Sequence, residues 1–286
     1  MGGAQDARRR PALSVAAQRA LAGRGVVVTG AAGGLGTAFA ERYAAAGARL
    51  ALIDLDGAGA EALAARLRAR GATAAAFGCD IADEAACGAA VAAAQAALGG
   101  IDILVNNAGI SARVLLRDAM PEVARRVMAV NYFGALHATQ AALASLVERR
   151  GQIVVVSSVA GFAPLVGRTA YAASKHALHG FFASLRAELR GSGVSVTLAC
   201  PSFIATGIAQ AAQGASAPRA TGGAEAQPAV IAARIVDAAQ RGARLCLPDR
   251  TARLAWWLSR IAPATYERLM IGRVGAEFGL AARSAT

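Results

Sequence analysis

The 286-residue sequence is short of several residue types, and each shortage excludes something. It has one lysine, Lys175, against 29 arginines, and three asparagines, Asn106, Asn107 and Asn131. A composition that drifted away from Lys and Asn makes the survivors worth reading closely. Aromatics are 5% of the chain, with four tyrosines, so the core must come from Ala, Val, Leu and Ile. The four cysteines, Cys79, Cys87, Cys200 and Cys246, form no CxxC pair. That excludes a disulfide framework and is expected of reduced core thiols in a cytoplasmic protein. Of the three histidines, His137, His176 and His179, the last two lie at i, i+3 without nearby Cys or carboxylate ligands, so no metal site is expected. No run of about 18 strongly apolar residues exists, which argues against a membrane-spanning helix. The stretch after Arg8-Arg9-Arg10 is broken by Gln18 and Arg19, so no cleavable signal is expected. Low charge with high apolar content excludes disorder over most of the chain, and no short period suggests a fibre.

What is there begins with 78 alanines and a net charge of +12. The charge is concentrated at the ends: five arginines and one aspartate in 1–24, and eight arginines against three acids in 240–286. No nucleic-acid motif accompanies it, so nucleic acid is not an expected partner. The basic ends read first as solubilising surface, with an anionic membrane surface as the alternative. Short β-type runs at 26–28, 50–53, 74–77, 103–105, 153–156, 194–199 and 245–247 alternate with helix-favouring stretches at 35–46, 57–70, 84–98, 121–149, 171–190 and 228–241. Such alternation predicts βαβ units with right-handed crossovers, an α/β doubly wound Rossmann fold with a mainly parallel seven-stranded sheet. The expected organisation is an N-terminal arm (1–22), the main domain (23–250) with a substrate loop at 207–227, and a C-terminal helical extension (251–286).

The first expected strand runs into Thr29-Gly30-Ala31-Ala32-Gly33-Gly34-Leu35-Gly36. Glycines at a strand-to-helix turn let the backbone approach a pyrophosphate, and the helix N-terminus offers unpaired N–H groups. Gly30, Gly34, Leu35 and Gly36 are therefore candidate dinucleotide contacts. Asp54, ending the second strand, is placed to accept hydrogen bonds from ribose hydroxyls and to repel a 2′-phosphate. Its plainer reading is a turn or cap residue. Asp80 and Ile81 follow the third strand, where the adenine end is expected. Asn107, Ala108 and Gly109 follow the fourth, again at the carboxyl end of a strand, where open α/β sheets bind ligands.

Tyr171 and Lys175 are four residues apart, which places them on one helix face. A Lys ammonium beside a phenol favours the phenolate and lowers the tyrosine pKa. That makes Tyr171 a general acid/base candidate near neutral pH. With four tyrosines and one lysine, this spacing arises by chance on the order of 1% of the time.

These motifs in order resemble the short-chain dehydrogenase/reductase family, in its compact, non-extended branch, over about residues 25–250. They are the glycine-rich turn from Thr29, Asn106-Asn107-Ala108-Gly109, the asparagine of Val130-Asn131, the serine of Val156-Ser157-Ser158, and Tyr171 with Lys175. The resemblance implies that Tyr171 exchanges a proton with a substrate hydroxyl or carbonyl. It implies that Lys175 holds the nicotinamide ribose, that Ser158 hydrogen-bonds the substrate oxygen, and that Asn131 anchors a water in a proton relay. Ser157 is the lesser choice, because strand alternation points it to the other face. Further cofactor contacts implied are Tyr171, Lys175, Pro201 and Thr206. The chain departs from the family in carrying Ser202 where Pro-Gly is frequent. It also has Gly33 and Leu55 where NADP-preferring members carry a basic residue. NAD is the expected cofactor, ahead of NADP. The family further implies a homodimer or homotetramer through helices 121–149 and 171–190.

Candidate pocket residues are Phe162, Pro164, Leu165, Val166, Phe203 and Ile204, mostly apolar and without an obvious charged clamp. They suit a hydrophobic alcohol or carbonyl. The basic segment 250–274 places Leu254, Trp257, Leu258 and Ile261 near one helical face, with Arg253 and Arg260 outside it. Packing against the body is the expected use, and a peripheral membrane contact is the alternative. The expected function is NAD(P)-dependent oxidation or reduction of a hydrophobic secondary alcohol or its ketone or aldehyde. The rival is a catalytically silent nucleotide-binding regulator or scaffold with the same fold.

Overall fold

A computed structural model describes residues 21–205 and 226–280. Seven parallel strands form one sheet: β1 (Gly25–Thr29), β2 (Arg49–Asp54), β3 (Ala74–Gly78), β4 (Ile103–Asn106), β5 (Gln152–Val156), β6 (Ser195–Ala199) and β7 (Leu245–Cys246). Their spatial order is β3-β2-β1-β4-β5-β6-β7. Val26 pairs with Leu50 on one side and Ile103 on the other, so β1 is an interior strand and the chain reverses direction across the sheet between β1 and β4. That reversal opens a crevice at the strand carboxyl ends, the ligand position of doubly wound sheets.

The strands form where branched apolar residues run together, because both faces of a parallel sheet are covered. Val26, Val28, Leu50 and Leu52 face one core with Phe39, Tyr43 and Ile235. Val27, Ala51, Ile53 and Leu104 face the other with Val91, Leu146 and Phe182. Alanine lets helices approach closely. Helix α1 (Gly34–Ala44) and α7 (Pro228–Gln240) meet through residues such as Ala38, Ala40, Ala232 and Ala239, all buried. Helices α2 (Gly57–Arg68) and α3 (Glu84–Leu98) start where expected, each on an aspartate cap, Asp56 and Asp83.

The expected helix 121–149 is instead three pieces. Helix α4 (Pro121–Met128) leads into a π-helical turn (Ala129–Phe133) and then α5 (Gly134–Glu148). Such turns add a residue to the helix and are frequent at functional sites. This one contains Asn131 and leaves it 1% exposed. Helix α6 (Thr169–Glu188) carries both Tyr171 and Lys175.

The tail is two helices, α8 (Arg250–Ile261) and α9 (Pro263–Val274), with Pro263 opening the second. Its packing inverts the sequence expectation in part. The small Ala252 and Ala255 face the body, whereas Leu254, Trp257 and Ile261 are 67%, 63% and 75% exposed. Leu258 alone of the expected face packs inward, beside Ala255, Tyr266, Phe162 and Met270. Arg260 lies over the Trp256 ring, 3.1 Å from its centroid. The arm and most of the 207–227 loop lie outside the described residues, but a bridge between Ile204 and Ala226 brings the loop ends together.

Candidate active site

One cavity of about 730 Å³ lies along the carboxyl ends of β1 to β6 and beneath α8 and α9. At one end, backbone geometry requires the glycines of the first turn. Gly30 has φ +64°, and a Cβ there would come within 2.7 Å of the Ala108 Cα. A Cβ on Gly36 would strike the Gly30 carbonyl. Helix α1 begins at Gly34 with no side-chain cap, and Gly33, Gly34, Leu35 and Gly36 line the cavity. Its leading amides are thus available to an anionic group.

Thr29 and Asn107 hold this turn to the end of β4. The Thr29 hydroxyl accepts from the amides of Asn107 and Ala108, each at 3.1 Å. The Asn107 amide donates to the carbonyls of Thr29 and Gly30 at 3.0 and 2.9 Å. The side chain of Asn107 is therefore committed to the turn, and what it shares with Ala108 and Gly109 is a place on the cavity wall. Asp54 combines both of its readings. Its carboxylate accepts from the amides of Ala32 and Asp56, at 2.8 and 2.9 Å, and it lines the cavity. Asp80 loses some hydration, which opposes ionisation, but the Ala82 amide and the Arg126 guanidinium outweigh this and hold its carboxyl below the usual range. Ile81 lines the same end, buried against Gly134.

Ser158, Tyr171 and Lys175 meet at the other end of the cavity. Ser157 and Ser158, just past β5, both line the cavity; Ser157 Oγ lies 3.0 Å from His179 Nε2, and Ser158 is hydrogen-bonded to Tyr171. Lys175 is 3% exposed, and its Nζ donates to the Val156 carbonyl at 2.9 Å and lies 5.7 Å from the Tyr171 ring centroid. Burial pushes the Lys175 ammonium down to about 8.

The Tyr171 phenol differs from the sequence expectation. Burial pushes its pKa up, and the Ser158 hydrogen bond and the nearby Arg168 charge offset only part of that. Desolvation of the phenolate outweighs cationic help, because Lys175 is itself buried and turned to a carbonyl.

Asn131 is equally occupied. Its Oδ1 accepts from the Ile110 amide at 2.8 Å, while its Nδ2 donates to the Ile110 carbonyl and to Ser174 Oγ. It pins the segment after β4 to α6, next to Lys175. Pro201 lines the cavity, and the Ser202 amide donates to Asp249, which also caps α8. Thr206 lies outside the described residues.

Behind this wall, His179 Nε2 lies 3.4 Å from Cys200 Sγ. Burial drives the histidine down to about 4 and the thiol up to about 12, so both are neutral at pH 7 and no thiolate nucleophile forms. All four cysteines are buried and free.

Sequence reasoning missed several cavity residues. Arg168, three positions before Tyr171, donates to Ser111 Oγ and lines the cavity with Arg273 and Tyr266. Its spacing from Tyr171 was a usable signal. The contributions of α9 were not legible, because they depend on how the tail folds back.

The family model described as short chain dehydrogenase matches residues 24–216. The chain belongs to the short-chain dehydrogenase/reductase family. It is 38% identical over 268 residues to the rat (Rattus norvegicus) dehydrogenase/reductase SDR family member 7B, covering 88% of this chain and 82% of that one. It is 39% identical over 187 residues to 2-(S)-hydroxypropyl-CoM dehydrogenase 3 of Xanthobacter autotrophicus, covering 65% and 73%. Among solved structures, a short-chain dehydrogenase/reductase from Burkholderia phymatum in complex with NAD superposes with a TM-score of 0.77. It is 27% identical, with 93% of this chain and 98% of that one covered. The parallel sheet and its order agree with the Rossmann fold expected from the motifs.

Proposed function

We propose that this oxidoreductase uses NAD to interconvert a hydrophobic secondary alcohol and its ketone or aldehyde, with Tyr171 as general acid/base. The observation that carries this reading is the placement of Ser158, Tyr171 and Lys175 on one wall of a cavity whose far end is an uncapped, glycine-lined helix N-terminus. A dinucleotide suits that end: Gly30 and Gly36 leave no room for a Cβ of their own, and Asp54 accepts from the Ala32 amide beside them. When bound, the nicotinamide supplies or accepts the hydride.

The chain's own groups handle the rest. Ser158 and Tyr171 offer two hydroxyls to the substrate oxygen. With its pKa raised by burial, Tyr171 holds its proton at neutral pH and is set up to donate it to a developing alkoxide. In the reverse direction it must first lose that proton, so alcohol oxidation is favoured by alkaline pH. Lys175 orients the ribose and keeps positive charge next to the phenol. NAD over NADP is supported by Asp54 with Gly33 and Leu55 on the cavity wall, while Arg126 at that end is paired with Asp80 at 2.9 Å.

A calorimetric titration with NADH and NADPH tests the cofactor reading. NADH is expected to bind about tenfold tighter or more, and Asp54→Ala to shrink the difference. Tighter NADPH binding by the wild type would overturn the preference.

The exposed Leu254, Trp257 and Ile261 on α8, flanked by Arg250 and Arg253, support a peripheral contact with an anionic bilayer. A homo-oligomer through α4, α5 and α6 belongs to the same reading.

A further inference from the structure

Tyr171, Lys175 and His179 follow one another at intervals of four along α6, so they share a face of that helix. The first two reach the cavity, and the third meets the turn that carries Ser158. His179 Nε2 lies 3.0 Å from Ser157 Oγ, which in turn donates to the Lys175 carbonyl at 3.4 Å. The ring is neutral at pH 7, so a proton on Nε2 serves the first contact while Ser157 gives its own to the second. The turn wraps this ring closely: a Cβ on Gly161 would strike both Ser157 Oγ and His179 Nε2. The Ser158 hydroxyl accepts from the Ala160 amide at 3.2 Å, inside the same turn, so it moves as the turn moves.

The outer side of the turn is gripped by the tail. Phe162 meets His179 on one side and Trp256 of α8 on the other, edge-on, with ring centroids 6.5 and 4.9 Å away. Arg260 covers the pair, its guanidinium carbon 3.1 Å from the Trp256 centroid and 5.5 Å from that of Phe162. Expected from sequence in the pocket, Phe162 is not among the described residues that line the cavity. Its ring is used to join α8 to α6. At the start of the turn the backbone is tied to the end of β6, with the Ser157 amide donating to Ala199 and the Val159 amide to Pro201. The far side of the turn rests on His179 and Phe162.

We propose that His179 and Trp256 are positioning residues for Ser158: they hold the 157–162 turn from its two sides, so that docking of α8 sets where the serine hydroxyl stands beside Tyr171. This deepens the oxidoreductase reading and rests on it for the use of Ser158. His179 touches Ser157 and Cys200, and acts on the reaction through the turn. The leverage is large, because displacing a reacting group by about 1 Å can cost about 100-fold in rate.

Two measurements test this, and the first needs no turnover. Amide hydrogen exchange in 158–163 is expected to be at least tenfold faster in His179→Ala and in Trp256→Ala than in wild type, while β1 and β4 stay protected. His179→Gln, which keeps an N–H donor, and Trp256→Phe, which keeps a ring against Phe162, are expected to stay within threefold. The second is ketone reduction in a double-mutant cycle with Ser158→Ala. Alone, His179→Ala and Trp256→Ala are each expected to lower kcat about tenfold, with NADH affinity within threefold of wild type. In the Ser158→Ala background the same changes are expected to lower the residual kcat less than twofold, because the group they place is gone. Should His179→Ala not fold, Trp256→Ala carries both measurements. A further tenfold loss in the Ser158→Ala background, or unchanged exchange in the turn, would overturn the proposal. If wild type reduces no ketone but exchange responds as expected, the oxidoreductase reading fails while the anchoring of the turn stands.

Discussion

The ammonium of Lys175 lies in the interior with the Val156 carbonyl as its acceptor. Its pKa falls from an ordinary 10.5 to about 8 because the folded chain disfavours the charge. Below pH 8 the folded and unfolded states both carry the proton, and the full burial cost is present. Between about 8 and 10.5 the folded state releases its proton first, and the cost fades as pH rises. The shift corresponds to about 3 kcal/mol, offset by about 1 kcal/mol for the hydrogen bond. Lys175→Met should therefore stabilise the fold by roughly 1–2 kcal/mol at pH 7 and by less near pH 10, while removing turnover. Urea unfolding at both pH values measures this. A variant less stable than wild type at pH 7 contradicts the argument. The position of Lys175 was legible in the sequence, as the one lysine four residues after a tyrosine. The raised phenol of Tyr171 was not, because spacing fixes which groups meet but not how much water they lose. The same holds for Asn131 and Asn107. Their places were readable, and their amides turn out to be spent on Ile110, Thr29 and Gly30.

At the scale of elements, strands and most helices followed from periodicity, since most strands are short apolar runs buried on both faces. The break at 129–133 and the inverted packing of α8 did not, because both are decided by tertiary partners. The tail is held by a buried ion pair between Arg113 and Glu277, with Arg113 also 5.4 Å from the Phe278 ring centroid. Phe278 in turn packs on Gly167, where φ is +66° and a Cβ would strike the ring. Removing one partner of a buried pair costs about 3–5 kcal/mol. Glu277→Ala should therefore release the tail: hydrogen exchange in 263–278 accelerates at least tenfold, while the central strands stay protected. Because α9 lines the cavity, KM is expected to rise more than kcat falls. Unchanged tail exchange would show that the pair does not dock it.

For the whole molecule, the sequence showed where charge is concentrated but not which face it accompanies. In the fold, exposed Leu254, Trp257, Ile261 and Leu269 lie on two contacting helices, and Leu254 and Leu269 also line the cavity. The cavity mouth thus opens beside an apolar, arginine-flanked surface. No helix among the described residues is long and apolar enough to cross a membrane. The expected outcome is sedimentation with anionic vesicles that weakens as salt is raised and is lost in a Leu254→Ser, Trp257→Ser, Ile261→Ser triple variant. Equal binding by that variant, or none by the wild type, would remove the membrane contact.

The most direct test of the central claim is turnover by Tyr171→Phe. Consumption of NADH by hydrophobic ketones is followed spectroscopically for wild type and variant, with NADH affinity measured on both. The account predicts a rate lower by about 100- to 10,000-fold, with NADH affinity within about threefold of wild type. Near-native turnover by Tyr171→Phe would contradict it.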